Sequence, residues 1–188
     1  MADQPASLDA IGRAARVLTE AGLAHAFIGG VAMGAWAVPR PTFDLDVAVA
    51  SGIDGLPRLL AAFEHAGFIV EEGFRKGFAD RVSGMDKVHV HLPAGKALMA
   101  VDLFLGTTPF LHSVLERRKA IDLGGGPLHV CSAADLILLK LVADRPKDRL
   151  DIENLLAVQG VPERPYLEHW ASELGVRPRL DALLAQRR

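Results

Sequence analysis

The chain has 188 residues, of which 50% are hydrophobic and 23% charged, with 21 basic against 23 acidic side chains and a formal net charge of −2. That length predicts one domain with a sizeable core and at most a small helical appendage, and the balanced charge excludes a global positive field of the kind that grips nucleic acid non-specifically. Cys131 is the lone cysteine, which excludes an internal disulfide and a cysteine-based zinc site.

The start, MADQPASLDA, lacks a signal-peptide pattern, and the apolar runs stop well short of the roughly 18 residues of a membrane span, so a cytoplasmic protein with no membrane partner is expected. Leu8, Ile11, Ala15, Leu18 and Ala21 have helical spacing and predict a helix over 7–21, stopped by Gly22. A short strand over 24–28 leads to a turn at Gly29-Gly30 and a short helix over 31–37. Pro39 and Pro41 end that helix and leave Arg40 and Thr42 in an extended loop. Strands are expected over 45–50, 68–71, 81–92 and 98–105, with a helix over 56–66 capped by Gly67. A helix over 109–119 precedes a hairpin of 120–123 with 128–130, joined at GGGP.

From Ser132 the texture becomes helical, SAADLILLKLVADRPKDRLDIENLLAV, with a break near Pro146. Ser132 and Asp135 have the spacing of a capping box. Further amphipathic pieces cover 163–174 and 179–185. The expected organisation is an α+β core over 1–131 followed by a short C-terminal helical region over 132–188.

The segment FIGGVAMGAWAVPRPTFDLDVAV places Asp44 and Asp46 one residue apart on one face of an extended chain. Their Cα atoms would lie about 6 to 7 Å apart. Like charges so placed are unfavourable unless something positive joins them. Asp102 sits among apolar neighbours in LMAVDLFL, where an ionised acid needs a partner. If the two strands pair, the three acids converge, and their oxygens with waters suit octahedral Mg²⁺ (or Mn²⁺), two such ions held by Asp44, Asp46 and Asp102 forming a clamp for phosphoryl chemistry. Gly29 and Gly30, between a strand and a helix start, suit phosphate through backbone N–H groups. Arg40 and Thr42 lie between the glycines and the acids, within reach of the same phosphates. Aspartate-nucleophile phosphatases also carry Asp-x-Asp, but after an apolar strand; here the apolar run VAVA follows the acids.

The spacing of an apolar residue and two glycines, thirteen residues, Asp44-x-Asp46, and a third acid in a later apolar strand resembles the nucleotidyltransferases of the DNA polymerase β superfamily. RPTFDLDVAV with LILLKLVADRPKDRLDIENLL is similar, more narrowly, to bacterial abortive-infection, toxin-type nucleotidyltransferases. The resemblance implies a mixed β-sheet flanked by helices, with the C-terminal region completing a cleft. It implies Asp44 and Asp46 as ligands of catalytic and nucleotide-bound metal, Asp102 as the third carboxylate that helps activate the acceptor hydroxyl, and Gly29 and Gly30 as the triphosphate cradle. Many members carry serine at the second glycine position, so Gly30, offering only backbone, would shift the load to Arg40 and the helix. In the resembled toxins a lysine and a downstream aspartate, matching Lys140 and Asp148, belong to the cleft.

Lys140, Asp144, Asp148 and Asp151 share one face if a single helix continues past Pro146; otherwise Lys140 and Asp144 form an ordinary surface pair. Arg145, Lys147 and Arg149 make a local basic patch. His89 and His91 alternate on a strand and are read as a wet sheet face rather than a metal site. Cys131, Trp36 and Trp170 are read as packing residues. The expected activity is metal-dependent transfer of NMP from an NTP to an acceptor hydroxyl on tRNA, protein or a small molecule, with a toxin of a toxin–antitoxin pair as a candidate role. The rival is a non-catalytic nucleotide- or partner-binding module on the same fold.

Overall fold

The strand carrying Asp102 lies directly against the strand carrying Asp44 and Asp46, and the rest of the fold is arranged around that pairing. The structure is a computed structural model and describes residues 8–79, 85–94, 97–122 and 126–185. The elements run α1 (Leu8–Glu20), β1 (His25–Phe27), α2 (Gly29–Trp36), β2 (Asp44–Val49), α3 (Leu56–His65), β3 (Phe78–Ala79), β4 (Asp86–Ala94), β5 (Ala97–Leu105) and α4 (Pro109–Glu116). They continue with β6 (Lys119–Asp122), β7 (Pro127–Val130), α5 (Ala133–Ala143), α6 (Pro146–Gln159), α7 (Arg164–Glu173) and α8 (Arg177–Ala185).

Among the described residues the seven strands form one mixed sheet in the order β3-β4-β5-β2-β1-β7-β6. β2 pairs with β5 in parallel and β4 with β5 antiparallel. β1 lies antiparallel to β2 and parallel to β7. Leu45 and Val47 on β2 and Val101, Leu103 and Leu105 on β5 are buried, while Asp44, Asp46 and Asp102 alternate with them on the other face. Period-2 alternation thus assigns the apolar side chains to the core and the acids to the cleft.

The anticipated strand over 68–71 reduces to one bridge, Ile69 to His91, followed by a 3-10 turn at Glu72–Phe74. Residues 81–84 of the strand expected over 81–92 lie outside the described residues, as do residues 123–125 of the hairpin joint; the described parts are β4 and the antiparallel β6–β7 pair.

α5 is buried from Ala133 through Leu141, as its continuous apolar sequence requires. Ser132 caps it: its Oγ accepts from the Asp135 amide at 3.2 Å and donates to Asp135 Oδ2 at 2.6 Å. Asp144, in the left-handed region at φ 45°, ends α5, and Pro146 opens α6. The break expected near Pro146 is therefore present and divides residues 133–159 into two helices, so Lys140 and Asp148 do not share one helical face. Among the described residues, no helix is long and apolar enough to cross a membrane.

Candidate active site

The β2–β5 register sets Asp46 opposite Asp102 and Asp44 opposite Ala100. Two carboxylates on one strand and a third on its neighbour therefore share one face without any long-range loop to bring them together. They line a cleft of about 130 Å³ with Gly29, Lys87, Lys140 and Arg145.

The glycine pair is shaped to this cleft. Gly29 has φ +54°, and a Cβ there would lie 2.0 Å from Asp46 Oδ2. Only glycine tolerates both the conformation and the contact. A Cβ on Gly30 would lie 2.3 Å from Thr42 Oγ1. The Ile28 N–H donates to the Asp46 carbonyl at 2.9 Å, which fastens the turn to β2. Among the described residues no side chain caps α2 at Ile28, so its first N–H groups are available to an anion.

Asp44 and Asp46 contrast sharply with Asp102. Among the described residues neither Asp44 nor Asp46 makes an ion pair within 4.0 Å. Burial, with the charges of Asp44 and Asp102, raises the Asp46 pKa from 3.8 to about 7; the more distant Arg145 and Lys87 offset this only in part. Burial would raise Asp102 too, but hydrogen bonds from His89 and Lys87, with their charges, reverse that and hold it below the usual carboxylate value. Lys87 Nζ lies 2.8 Å from Asp102 Oδ2, and His89 Nδ1 contacts Oδ1.

Among the described residues, no group of three or more His, Cys, Asp or Glu side chains is arranged so that it could hold a metal ion. Both Asp102 oxygens are already engaged, by Lys87 and His89. Asp44 and Asp46 by themselves fit a hard divalent cation: two adjacent oxygen-donor groups, one with a raised pKa, in a cleft where no side-chain cation touches them.

Arg40 lies against Asp151, with Nη2 at 2.9 Å from Oδ2 and Nε at 3.3 Å from Oδ1. Thr42 Oγ1 lies 3.0 Å from Asp44 Oδ1 and 3.1 Å from the Asp44 carbonyl, so it orients Asp44. Lys140 is buried, with Nζ 2.6 Å from Asp151 Oδ2 and 3.3 Å from Asp148 Oδ1. Arg145 Nε donates to Asp148 Oδ2 at 2.6 Å. Arg40, Lys140 and Arg145 thus surround Asp148 and Asp151, three cations to two carboxylates, and leave one net positive charge on the wall facing the acids. Burial would raise the Asp148 and Asp151 pKa values, but the hydrogen bonds and charges of these partners hold both low. Asp144 turns away to Arg149 and Arg179.

The structure brings together Gly29, Asp44, Asp46, Asp102 and Lys140 in one cleft; Gly30 and Thr42 adjoin it, and Arg40 and Asp148 stand behind Lys140 and Arg145. Lys87 was not singled out from the sequence. Its signal is parity: Lys87, His89 and His91 share a face of β4, and the antiparallel register sets His89 against Asp102. Cys131 is fully buried, and burial raises its thiol pKa. Trp36 Nε1 donates to the Cys131 carbonyl at 2.7 Å, and the Trp170 ring packs 5.2 Å from that of Phe110.

No protein-family model and no curated protein matches the chain. Solved structures do. An antigenic nucleotidyltransferase-like protein from Paracoccidioides brasiliensis aligns with a TM-score of 0.54 at 18% identity, over 96% of this chain and 94% of that one. The antibiotic-resistance factor ANT(2'')-Ia in solution aligns with a TM-score of 0.58 at 17% identity, over 94% of each chain. The crystal structure of ANT(2'')-Ia with adenylyl-2''-tobramycin gives 0.58 at 16% identity, over 90% of this chain and 96% of that one. The fold is therefore a nucleotidyltransferase-like α+β fold.

Proposed function

We propose that the chain transfers a nucleoside monophosphate from an NTP to an acceptor hydroxyl. The observation that carries this reading is the Asp44–Asp46 pair: two acids side by side in a cleft with no cation touching them, next to a glycine turn that can meet phosphate. A fold shared with nucleotidyltransferase-like proteins supports it.

A divalent ion, Mg²⁺ or Mn²⁺, bound by Asp44 and Asp46 would neutralise charge on the triphosphate as it reacts. Thr42 holds Asp44 in orientation for that role. Gly29, Gly30 and the first amides of α2 receive the phosphates, and Lys140 and Arg145 supply positive charge from the opposite wall, each fixed by Asp148. Arg40 contributes by holding Asp151 beside Lys140. The acceptor hydroxyl passes its proton to Asp102 as its oxygen attacks the α-phosphorus, the bond to the β-phosphate oxygen breaks, and pyrophosphate leaves. Asp102, kept ionised by Lys87 and His89, accepts the hydrogen bond of the incoming hydroxyl and aligns it. In this reading residues 1–131 form the transferase core and 132–188 the helical region that completes the cleft.

The acceptor is a hydroxyl of tRNA, of a protein or of a small molecule. The ANT(2'')-Ia complex with adenylyl-2''-tobramycin makes a hydroxylated small molecule the first class to test. The test is incubation with Mg²⁺ and each NTP labelled in turn at the α- or the γ-phosphate, with mixed acceptors of all three classes. Transfer of α-label without γ-label supports the reading. Transfer of γ-label, or of neither by folded protein, opposes it.

A further inference from the structure

Asp102 is the most fully engaged of the three cleft acids. Lys87 Nζ stands 2.8 Å from its Oδ2, and His89 meets Oδ1. Lys87 is not a mobile surface lysine. Its side chain is 14% exposed, and its ammonium lies 5.5 Å from the Phe78 ring centroid and 5.4 Å from that of Phe104. Two aromatic faces and a carboxylate confine an ammonium by cation–π attraction and charge together. The backbone builds this cage: Phe78 on β3 pairs with Lys87 on β4, and Lys87 pairs with Phe104 on β5, two residues beyond Asp102.

Across the same cleft, Asp44 and Asp46 make no ion pair among the described residues. A cation is therefore in direct contact with Asp102 and with neither Asp44 nor Asp46; Lys140 and Arg145 face those two across the cleft, each engaged by Asp148. Counting only the groups in direct contact on the acidic wall, three carboxylates and one ammonium leave two negative charges, the charge that one divalent ion carries.

We propose that Lys87 is a resident cation of the cleft, occupying the Asp102 side so that the chain binds one divalent ion, at Asp44 and Asp46, where a free three-carboxylate site would bind two. The inference rests on the nucleotidyl-transfer reading for the presence of that one ion. Lys87 is a positioning residue in this scheme. It orients Asp102 and supplies charge that does not dissociate with metal concentration.

The test is Mn²⁺ titration of the intact chain, with free ion read by electron paramagnetic resonance and folding checked by circular dichroism. Wild type should bind one Mn²⁺. Lys87→Met should bind two, and the second should vanish in Lys87→Met/Asp102→Asn. Lys87→Arg, which keeps the charge, and Asp102→Asn alone should both stay at one, so the proposal remains testable even if Lys87→Met fails to fold. Two ions on the wild type, one of them lost in Asp102→Asn, would overturn the proposal and leave nucleotidyl transfer standing. So would a folded Lys87→Met that still binds only one. No Mn²⁺ on the wild type would overturn the metal reading of Asp44 and Asp46 and this inference with it.

Discussion

Asp46→Asn should stabilise the metal-free protein, and by an amount that depends on pH. The fold raises this carboxyl from 3.8 to about 7 because it is buried and flanked by Asp44 and Asp102. Below the unfolded value both folded and unfolded chains hold the proton, and the group costs nothing. As pH rises, the unfolded chain ionises first, so stability falls until the folded value is passed. The difference corresponds to a loss of about 4 kcal/mol, complete near pH 8. Asparagine mimics the protonated acid and removes that loss. For a domain of this size the gain is on the order of 10 °C in Tm at pH 8 in chelator, shrinking towards zero near pH 4. Saturating Mg²⁺ should narrow the gap by stabilising wild type, by about 2.7 kcal/mol at one hundred times Kd, and should leave the variant unchanged. Calorimetric melting across pH, with chelator or with Mg²⁺, is the assay. A variant no more stable than wild type at pH 8 in chelator, or an advantage that does not shrink on acidification, would mean that the fold does not hold the Asp46 proton as described.

Lys140→Met leaves Asp148 and Asp151 short of a buried cation, which should cost about 3 to 5 kcal/mol in urea denaturation, whereas pairing it with Asp151→Asn should recover part of the loss. Gly29→Ala forces a methyl group to within 2.0 Å of Asp46 Oδ2 at positive φ, so metal binding and transfer should be lost together; a variant with normal Mn²⁺ affinity would contradict the packing described. Tyr166→Phe removes a 2.5 Å hydrogen bond to the buried Asp135 carboxylate and should lower stability by about 1 to 3 kcal/mol by the same denaturation assay. Asp102, Asp148 and Asp151 carry lowered pKa values, so their stabilisation is present above the unfolded value and lost as pH falls through the folded ones. Acid titration followed by circular dichroism should show unfolding below about pH 4, and its onset should move to higher pH in Lys140→Met.

Local spacing made the acidic part of the site legible. Asp44 and Asp46 needed only the alternation of a strand, and Asp102 stood out as a charge in an apolar run. Gly29 and Gly30 followed from their position between strand and helix. What escaped depends on contacts distant in sequence. The Lys87 cage requires the register of three strands, which no residue of β4 reveals alone. Arg40 reads as a loop arginine facing phosphate, yet it meets Asp151, 111 positions away, because α6 packs behind the loop. Lys140 and Asp148 suggested one helical face, but Asp144 and Pro146 divide the helix, and the pair instead meets across the turn between α5 and α6. The weak strand at 68–71 had the right composition but gained only one bridge to the sheet.

The most direct test of nucleotidyl transfer in this cleft is acceptor-dependent pyrophosphate release, measured on wild type, Asp44→Asn and Asp46→Asn, each shown to be folded. The expected result is Mg²⁺-dependent release from wild type, matched by incorporated α-label, and loss of at least about a thousandfold in both variants, since each removes a carboxylate that holds the ion (about 4 kcal/mol of transition-state stabilisation). A folded Asp46→Asn chain that releases pyrophosphate at the wild-type rate would contradict it.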